Sequence, residues 1–351
     1  MKSNLTRTAL CCLAFTTPGL ADTFTLKDGT SLNAKIVSET TDAYVLEVQV
    51  TKGIKDGRTV AKADVIKVSR EQPDFKAFQA IANLVPTPDL VTAEEGLARI
   101  AQLEKFLHDH GTSPSAKEVR GMLTTLQKES AAISAGGIKV SGKIVLPTEY
   151  ESNAYEFDSQ ISEIKIRSFV NDGEFLRALR LFSSFDADYP TTLSYGAILS
   201  LIRQVTQNQL SEAKQSLATL PDRLKKRENG LLQMAAADRA ATQAAIQEET
   251  AQLETRYKAE HMSKLKWVTT DPFHKASLQD TVRLGEAELV RLSVTKIVLG
   301  VDGGKCYREA YRAVHNGENN AMVTAALGRA KAAMVPARYL APLENIAKGR
   351  K

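Results

Sequence analysis

Cysteine is scarce in this chain. Of its three cysteines, Cys11 and Cys12 lie in an N-terminal apolar run, so a chain that begins at Asp22 retains only Cys306. A single cysteine excludes an intramolecular disulfide, and stability is then expected to come from side-chain packing. We expect Cys306 to be buried, because cysteine behaves as a small hydrophobic residue; the alternative is a free thiol.

Long apolar runs and an excess of one charge are also missing. No stretch reaches the roughly 20 consecutive apolar residues that cross a bilayer, so the sequence predicts no transmembrane span in the mature chain. Basic residues number 46 and acidic residues 41, and removing Lys2 and Arg7 lowers the net charge by two, from +5 to +3. So weak a basic excess indicates no nucleic-acid partner.

Catalytic motifs are absent as well, since neither H-E-x-x-H nor G-x-S-x-G occurs. His108 and His110 are two residues apart, which places them on nearly opposite sides of a helix and favours a helix C-terminus over a metal site. Gly303-Gly304-Lys305 resembles part of a phosphate-binding loop, but Leu299 replaces the first glycine and Cys306 the hydroxyl residue. The sequence therefore predicts no catalytic residue, no cofactor and no metal.

The N-terminus does carry a recognisable pattern. Lys2 and Arg7 precede the apolar run Thr8–Phe15, and small residues end at Ala21, directly before Asp22. Such an arrangement is typical of a signal peptide, here residues 1–21. We therefore expect the protein to be exported, to the periplasm, the cell envelope or the medium; the alternatives are an uncleaved N-terminal anchor and a mere apolar start.

Residues 22–70 alternate between apolar and polar side chains. The alternation runs through Phe24–Leu26, Leu32–Ile36 and Tyr44–Val50, and a turn is predicted at Lys55–Gly57. Four or five short antiparallel strands must then hide one apolar face, which favours a small barrel or sandwich. The pattern resembles the small SH3-like or Sm-like β modules of exported bacterial proteins, which usually bind a partner or brace a neighbouring domain.

Residues 73–135 are predicted to be a helical connector, interrupted by Pro86-Thr87-Pro88-Asp89-Leu90. Each proline fixes its own φ and extends the preceding residue, so this segment should be a stiff, non-helical spacer. Thr92 and Glu95 have the spacing of a capping box that begins a helix. The predicted apolar stripe of that helix contains Leu97, Ile100, Leu103 and Leu107.

The pentapeptide Pro86-Thr87-Pro88-Asp89-Leu90 resembles the signature of the PTPDL family, bacterial proteins that are predicted to be exported and have no assigned activity. The resemblance implies no cofactor, substrate or catalytic residue. We therefore treat Pro86, Thr87, Pro88, Asp89 and Leu90 as a candidate interaction segment.

Residues 136–351 are predicted to begin with a β hairpin near Ile138–Val145 and to continue as a helical domain. Residues 172–190 are predicted to contain a helix that carries Ala178, Leu179, Phe182 and Phe185, similar to the second helix of a tetratricopeptide repeat. No second copy follows, and a generic helical hairpin is preferred. A helix is expected to restart at Pro221 and to form a long helical hairpin, in preference to a coiled-coil dimer. Lys225-Lys226-Arg227 is read as a solvated face rather than an anionic docking patch.

Together these patterns predict an α+β fold that is predominantly α, with the β module at its N-terminus. Two functions fit it. The first is a non-enzymatic envelope protein with an interaction or scaffold role, whose partner is a protein, another envelope macromolecule or a second copy of the chain. The second is an exported hydrolase whose nucleophile and base come from distant segments.

Overall fold

A computed structural model of the protein describes residues 22–51, 54–69, 73–295 and 300–349. The proposed signal peptide, residues 1–21, lies outside the described residues. The described chain is predominantly helical with an N-terminal antiparallel sheet, so the predicted α+β class is confirmed. No described helix combines the length and the apolar character needed to cross a bilayer.

The N-terminal sheet has five antiparallel strands. They are β1 (Asp22–Leu26), β2 (Ser31–Glu39), β3 (Ala43–Thr51), β4 (Ile54–Ala61) and β5 (Val65–Ser69). Phe24, Ala34 and Leu46 come from the three central strands and are fully buried in one cluster. Along each strand, alternate side chains point to the same face of the sheet, so one face can be apolar.

The sheet is open, so the predicted closed barrel or two-layered sandwich is wrong. The strand order is β4-β3-β2-β1-β5, and β4 and β5 form its two edges in the part of the sheet that the structure describes. The predicted turn at Lys55–Gly57 is also wrong, because these residues lie within β4, where Gly57 pairs with Glu47. Asp56 and Arg58 are exposed on this edge strand, as is common where a strand meets solvent.

The remaining chain contains a short hairpin and a series of helices. The hairpin strands are β6 (Ile138–Val140) and β7 (Lys143–Val145), as predicted. The described helices are α1 (Pro73–Ile81), α2 (Ala93–Asp109), α3 (Ala116–Ser134), α4 (Pro147–Ser152), α5 (Ala154–Asn171), α6 (Phe175–Asp188), α7 (Leu193–Leu232), α8 (Ala236–Met262), α9 (Lys275–Val294), α10 (Gly303–His315), α11 (Asn320–Ala332) and α12 (Ala337–Lys348).

The chain divides into two compact units. The first comprises the described residues up to Pro86 together with Gly96–Lys128, and the second comprises Thr87–Glu95 and the described residues from Glu129 onward. The first unit contains the sheet and a helical cluster around Leu103, Phe106 and Leu126.

Helix α2 begins at its predicted capping box. The Thr92 N–H donates to Glu95 Oε2 at 2.8 Å, and the Glu95 N–H donates to Thr92 Oγ1 at 3.2 Å. The predicted apolar stripe is wrong at Leu97, which is 59% exposed, whereas Phe106 is buried. Leu97 lies six residues before Leu103, roughly 120° away around a helix of 3.6 residues per turn, and so misses the buried face.

The core of the second unit is formed mainly by α5, α6, α7, α10, α11 and α12. Helix α6 buries the apolar face predicted from the repeat-like segment. Ala178, Leu179, Phe182 and Phe185 are all buried there. Trp267, the only tryptophan, is buried in the same cluster.

Helix α7 is 40 residues long and continues across Pro221, so the predicted helix start at this proline is wrong. A proline inside a helix cannot donate to the carbonyl four residues earlier, here Leu217, and costs about 3 kcal/mol. Packing of α7 against α9 offsets that cost, because Ala213 and Leu220 of α7 form a buried cluster with Leu278 of α9.

Candidate functional site

The candidate interaction segment presents its prolines and its threonine to different environments. Pro86 and Pro88 are exposed, whereas Thr87 is buried. The Thr87 hydroxyl donates to Glu129 Oε2 at 2.5 Å and accepts from Lys139 Nζ at 2.7 Å. Lys139 Nζ also lies 2.8 Å from Glu129 Oε1, and the lysine side chain is only 3% exposed. Thr87 therefore completes a buried ion pair.

The rest of the pentapeptide is fastened to the β6–β7 hairpin. The Gly142 N–H donates to Asp89 Oδ1 at 2.7 Å, and the Leu90 N–H donates to the Lys139 carbonyl at 2.9 Å. Ser141 and Gly142 both have positive φ, the conformation of a tight two-residue hairpin turn. We call Thr87, Asp89, Leu90, Glu129 and Lys139 the PTPDL latch.

The electrostatics of the latch favour the charged pair. Burial alone raises the pKa of Glu129, but hydrogen bonds from Lys139 and Thr87 outweigh it, and the pKa is lowered overall. Sequence reasoning did not single out Lys139 or Glu129. The available signal was a lysine between Ile138 and Val140 in a short apolar strand, where a charged side chain needs a partner if it points inward.

Histidines are used as structural groups. His108 lies in the last turn of α2, and the ring of His110 packs 5.3 Å from that of Phe106. No group of three histidine, cysteine or acidic residues that could hold a metal ion is found within the described ranges.

Two other histidines each face a carboxylate between α8 and α9. His261 Nε2 lies 2.9 Å from Asp280 Oδ2, and His274 Nε2 lies 3.0 Å from Glu254 Oε1. The ring of Tyr257 packs edge-on against both imidazoles, and its hydroxyl donates to Asp280 at 2.5 Å. These contacts attach α8 to α9 through polar side chains.

The end of α7 and the whole of α8 are largely exposed. Residues 221–262 form a helical hairpin in which no residue is buried, and we call it the exposed hairpin. A thin seam of half-buried side chains, including Leu231, Ile246 and Leu253, runs along it. Lys225 and Lys226 are exposed, whereas the Arg227 guanidinium lies 3.6 Å from the ring centre of Phe273.

A cleft of about 870 Å³ lies between the start of α7, the start of α10 and the end of α11. Apolar lining comes from Pro190, Leu193, Val301 and Ala332, and charged lining from Asp302, Lys305, Glu309 and Arg329. Cys306 also lines the cleft and is half-buried rather than buried as predicted. Burial raises the pKa of its thiol, which makes it a weak nucleophile at neutral pH.

Two glycines form part of the structure behind this cleft. A Cβ on Gly303 would lie 2.4 Å from Thr191 Oγ1, and one on Gly304 would lie 2.5 Å from Glu156 Oε2. The Gly303-Gly304 pair therefore permits close packing of α10 on α5 and on the segment before α7. This close packing explains the two adjacent glycines that resemble part of a phosphate-binding loop.

Glu156 is a buried acid behind the two glycines. It is 3% exposed, and no hydrogen bond of good geometry reaches either carboxyl oxygen from the described residues. Burial raises the pKa of Glu156, although Gln160 and the Leu193 N–H favour the charged form in part. Ionisation of Glu156 is therefore expected to weaken the folded state.

Replacing Glu156 with glutamine tests this expectation. The folded carboxyl keeps its proton to a higher pH than the unfolded one, so the wild-type free energy of unfolding should fall as the pH rises from about 4.3 through the folded pKa. Glutamine stays neutral. We expect E156Q to be more stable than wild type at pH 8, by on the order of 1 kcal/mol, and equal to it near pH 4 in urea unfolding. Identical pH profiles would contradict the buried-acid interpretation.

No protein-family model matches the chain, and comparisons with curated proteins and with solved structures find no significant match. The resemblances of the pentapeptide and of the N-terminal sheet to known families therefore stay predictions.

Proposed function

We propose that the protein is a non-enzymatic exported protein of the cell envelope that binds another protein or a second copy of itself through the exposed hairpin. The observation that carries the proposal is the absence of any buried residue from 221 to 266, a stretch that the structure describes completely. The PTPDL-like pentapeptide and the predicted signal peptide support the proposed location of the protein in the cell envelope.

The hairpin is longer than the packing of its own unit requires. Helices in water gain most of their stability from burying one face, yet α8 extends over 27 residues without a buried side chain. Leu232 and Met234 are exposed at the turn between the two helices. A partner that covers these apolar side chains would gain the burial that the hairpin alone lacks.

The hydrolase alternative gains no support from the arrangement of side chains. The large cleft contains Cys306 and several charged groups but is lined by no histidine among the residues described. The two histidine–carboxylate pairs lie between α8 and α9 instead. Scaffolding is therefore the one function proposed.

Site-specific photocrosslinking in the envelope of living cells tests the role of the exposed hairpin. A photoreactive residue in the full chain at Gln243 or Gln247, both exposed on α8, should give a discrete adduct. The matched control is the exposed Gln279 on α9, from which no such adduct should form. An adduct of twice the protein's mass identifies a second copy, and any other mass identifies a different partner.

Charge substitutions at the turn provide the second arm of this experiment. Changing Leu232 and Met234 to glutamate should lower the adduct yield from Gln243 severalfold, because it places charges on the proposed contact. Both residues are exposed, so thermal unfolding should be unchanged. Equal adducts from Gln243 and Gln279, or none from either, would rule out the hairpin as the interaction surface.

A further inference from the structure

The four charged groups of the cleft, Asp302, Lys305, Glu309 and Arg329, sum to zero, but they are not all paired. The Asp302 carboxylate caps α10 by accepting the Lys305 backbone N–H at 2.8 Å, and Glu309 pairs with Arg329 at 3.3 Å. The Lys305 ammonium has no acidic partner within the described ranges and is exposed on the cleft lining. The Lys305 ammonium is therefore free to pair with an acidic group of a molecule that enters the cleft.

Much of the remaining lining is accessible apolar surface. Leu193, the first residue of α7, is 75% exposed, and Val301, on the loop before α10, is also exposed and lines the same cleft. Pro190 and Ala332 continue this apolar surface. A concave site of several hundred Å³ with an apolar wall and one oriented charge is the usual form of a small-molecule site.

We propose that this cleft binds a molecule with one carboxylate and an apolar body. The carboxylate pairs with Lys305, and the apolar body covers Leu193 and Val301. Two sources supply this chemistry: a free fatty acid, and the C-terminal end of an apolar peptide. The proposal is independent of the exposed hairpin, because α8 contributes no residue to the cleft.

Cys306 provides the readout, because it is the only cysteine from residue 22 onward and it lines the cleft. Its alkylation rate in the full mature chain is measured at about pH 8.5, where a larger fraction of the thiol is ionised than at neutral pH, with decanoate kept below its micelle concentration. Decanoate should slow alkylation at least fivefold, decanol should slow it less, and decylamine should have no effect. The same measurement is made with an apolar tripeptide that has a free C-terminal carboxylate and with its C-terminal amide. If the free acid slows alkylation at least fivefold and the amide slows it less, the ligand can be the C-terminal end of an apolar peptide.

Substitutions of Lys305 and Leu193 test whether these two side chains bind the ligand. Lys305→Met should weaken decanoate about tenfold and remove its advantage over decanol, because a charge-assisted hydrogen bond is lost. Leu193→Glu should weaken decanoate at least as much, by repulsion. The matched control is Lys331→Met, since Lys331 lies on α11 and pairs with Glu344 outside the cleft lining. Equal protection by decanoate, decanol and decylamine, or none from any acid, would overturn the proposal.

Discussion

Replacing Lys139 with methionine should lower the free energy of unfolding by about 3–5 kcal/mol, the usual cost of breaking a buried ion pair. The substitution leaves the Glu129 carboxylate, whose side chain is only 21% exposed, without its ammonium partner. It also removes the donor that the Thr87 hydroxyl accepts from. Urea unfolding at pH 7 measures the difference.

Lys105→Met is the matched control for this change. Lys105 pairs with Asp109 at 2.7 Å on α2 but is 77% exposed, so its loss should cost less than about 1 kcal/mol. Because the pKa of Glu129 is lowered in the fold, the stability from this carboxylate is present above the unfolded pKa of about 4.3 and is lost as the pH falls below it. The difference in free energy of unfolding between wild type and K139M should therefore become smaller at acidic pH. Equal costs for K139M and K105M would show that the latch is not a buried pair.

The second large effect is expected for alanine at Gly303. The new Cβ would lie 2.4 Å from Thr191 Oγ1 and 2.8 Å from Tyr155 Cε1, both in the buried core. Thr191 has little freedom to move, because its hydroxyl donates to the Ala333 carbonyl at 2.7 Å. Overpacking of this kind costs about 1–3 kcal/mol or more, and G303A should unfold at a lower temperature in calorimetry.

Gly328 on α11 offers the opposite outcome from the same substitution. A Cβ at this position meets no atom within 4 Å, and alanine is the better helix former. G328A should therefore stabilise the protein by about 0.4–1 kcal/mol. A G303A variant that unfolds at the wild-type temperature or above would show that α10 does not pack as closely on Thr191 and Tyr155 as the structure has it.

Features of the fold that depend on neighbouring residues were predictable from the sequence. The capping box of Thr92 and Glu95, the β6–β7 hairpin and the buried face of α6 each arise within one or two turns of chain. Errors arose where a local signal was overridden from a distance. Asp56-Gly57 reads as a turn but pairs with β3, and Pro221 reads as a helix start but lies in a helix stabilised by Leu278 of α9.

The candidate sites were harder to predict, because they combine residues that are far apart in the chain. Thr87 bonds to partners 42 and 52 residues away, and a hydroxyl between two prolines gives no indication of that geometry. The cleft unites Leu193, Val301, Lys305 and Arg329 from three helix ends and a loop. No spacing rule connects such segments; only the tertiary packing of α7, α10 and α11 does.

The lack of core residues between 221 and 266 has a consequence for how the exposed hairpin can change over evolution. Near the turn, whole helical turns can be inserted or removed in both of its helices without altering the contacts of Leu210, Ala213 and Leu220, which anchor α7, or the bonds of Tyr257 and His261 to Asp280. The length of the exposed hairpin can thus change without changing the stability of the second unit. Selection can adjust the span of this arm, about 1.5 Å per residue, independently of the fold.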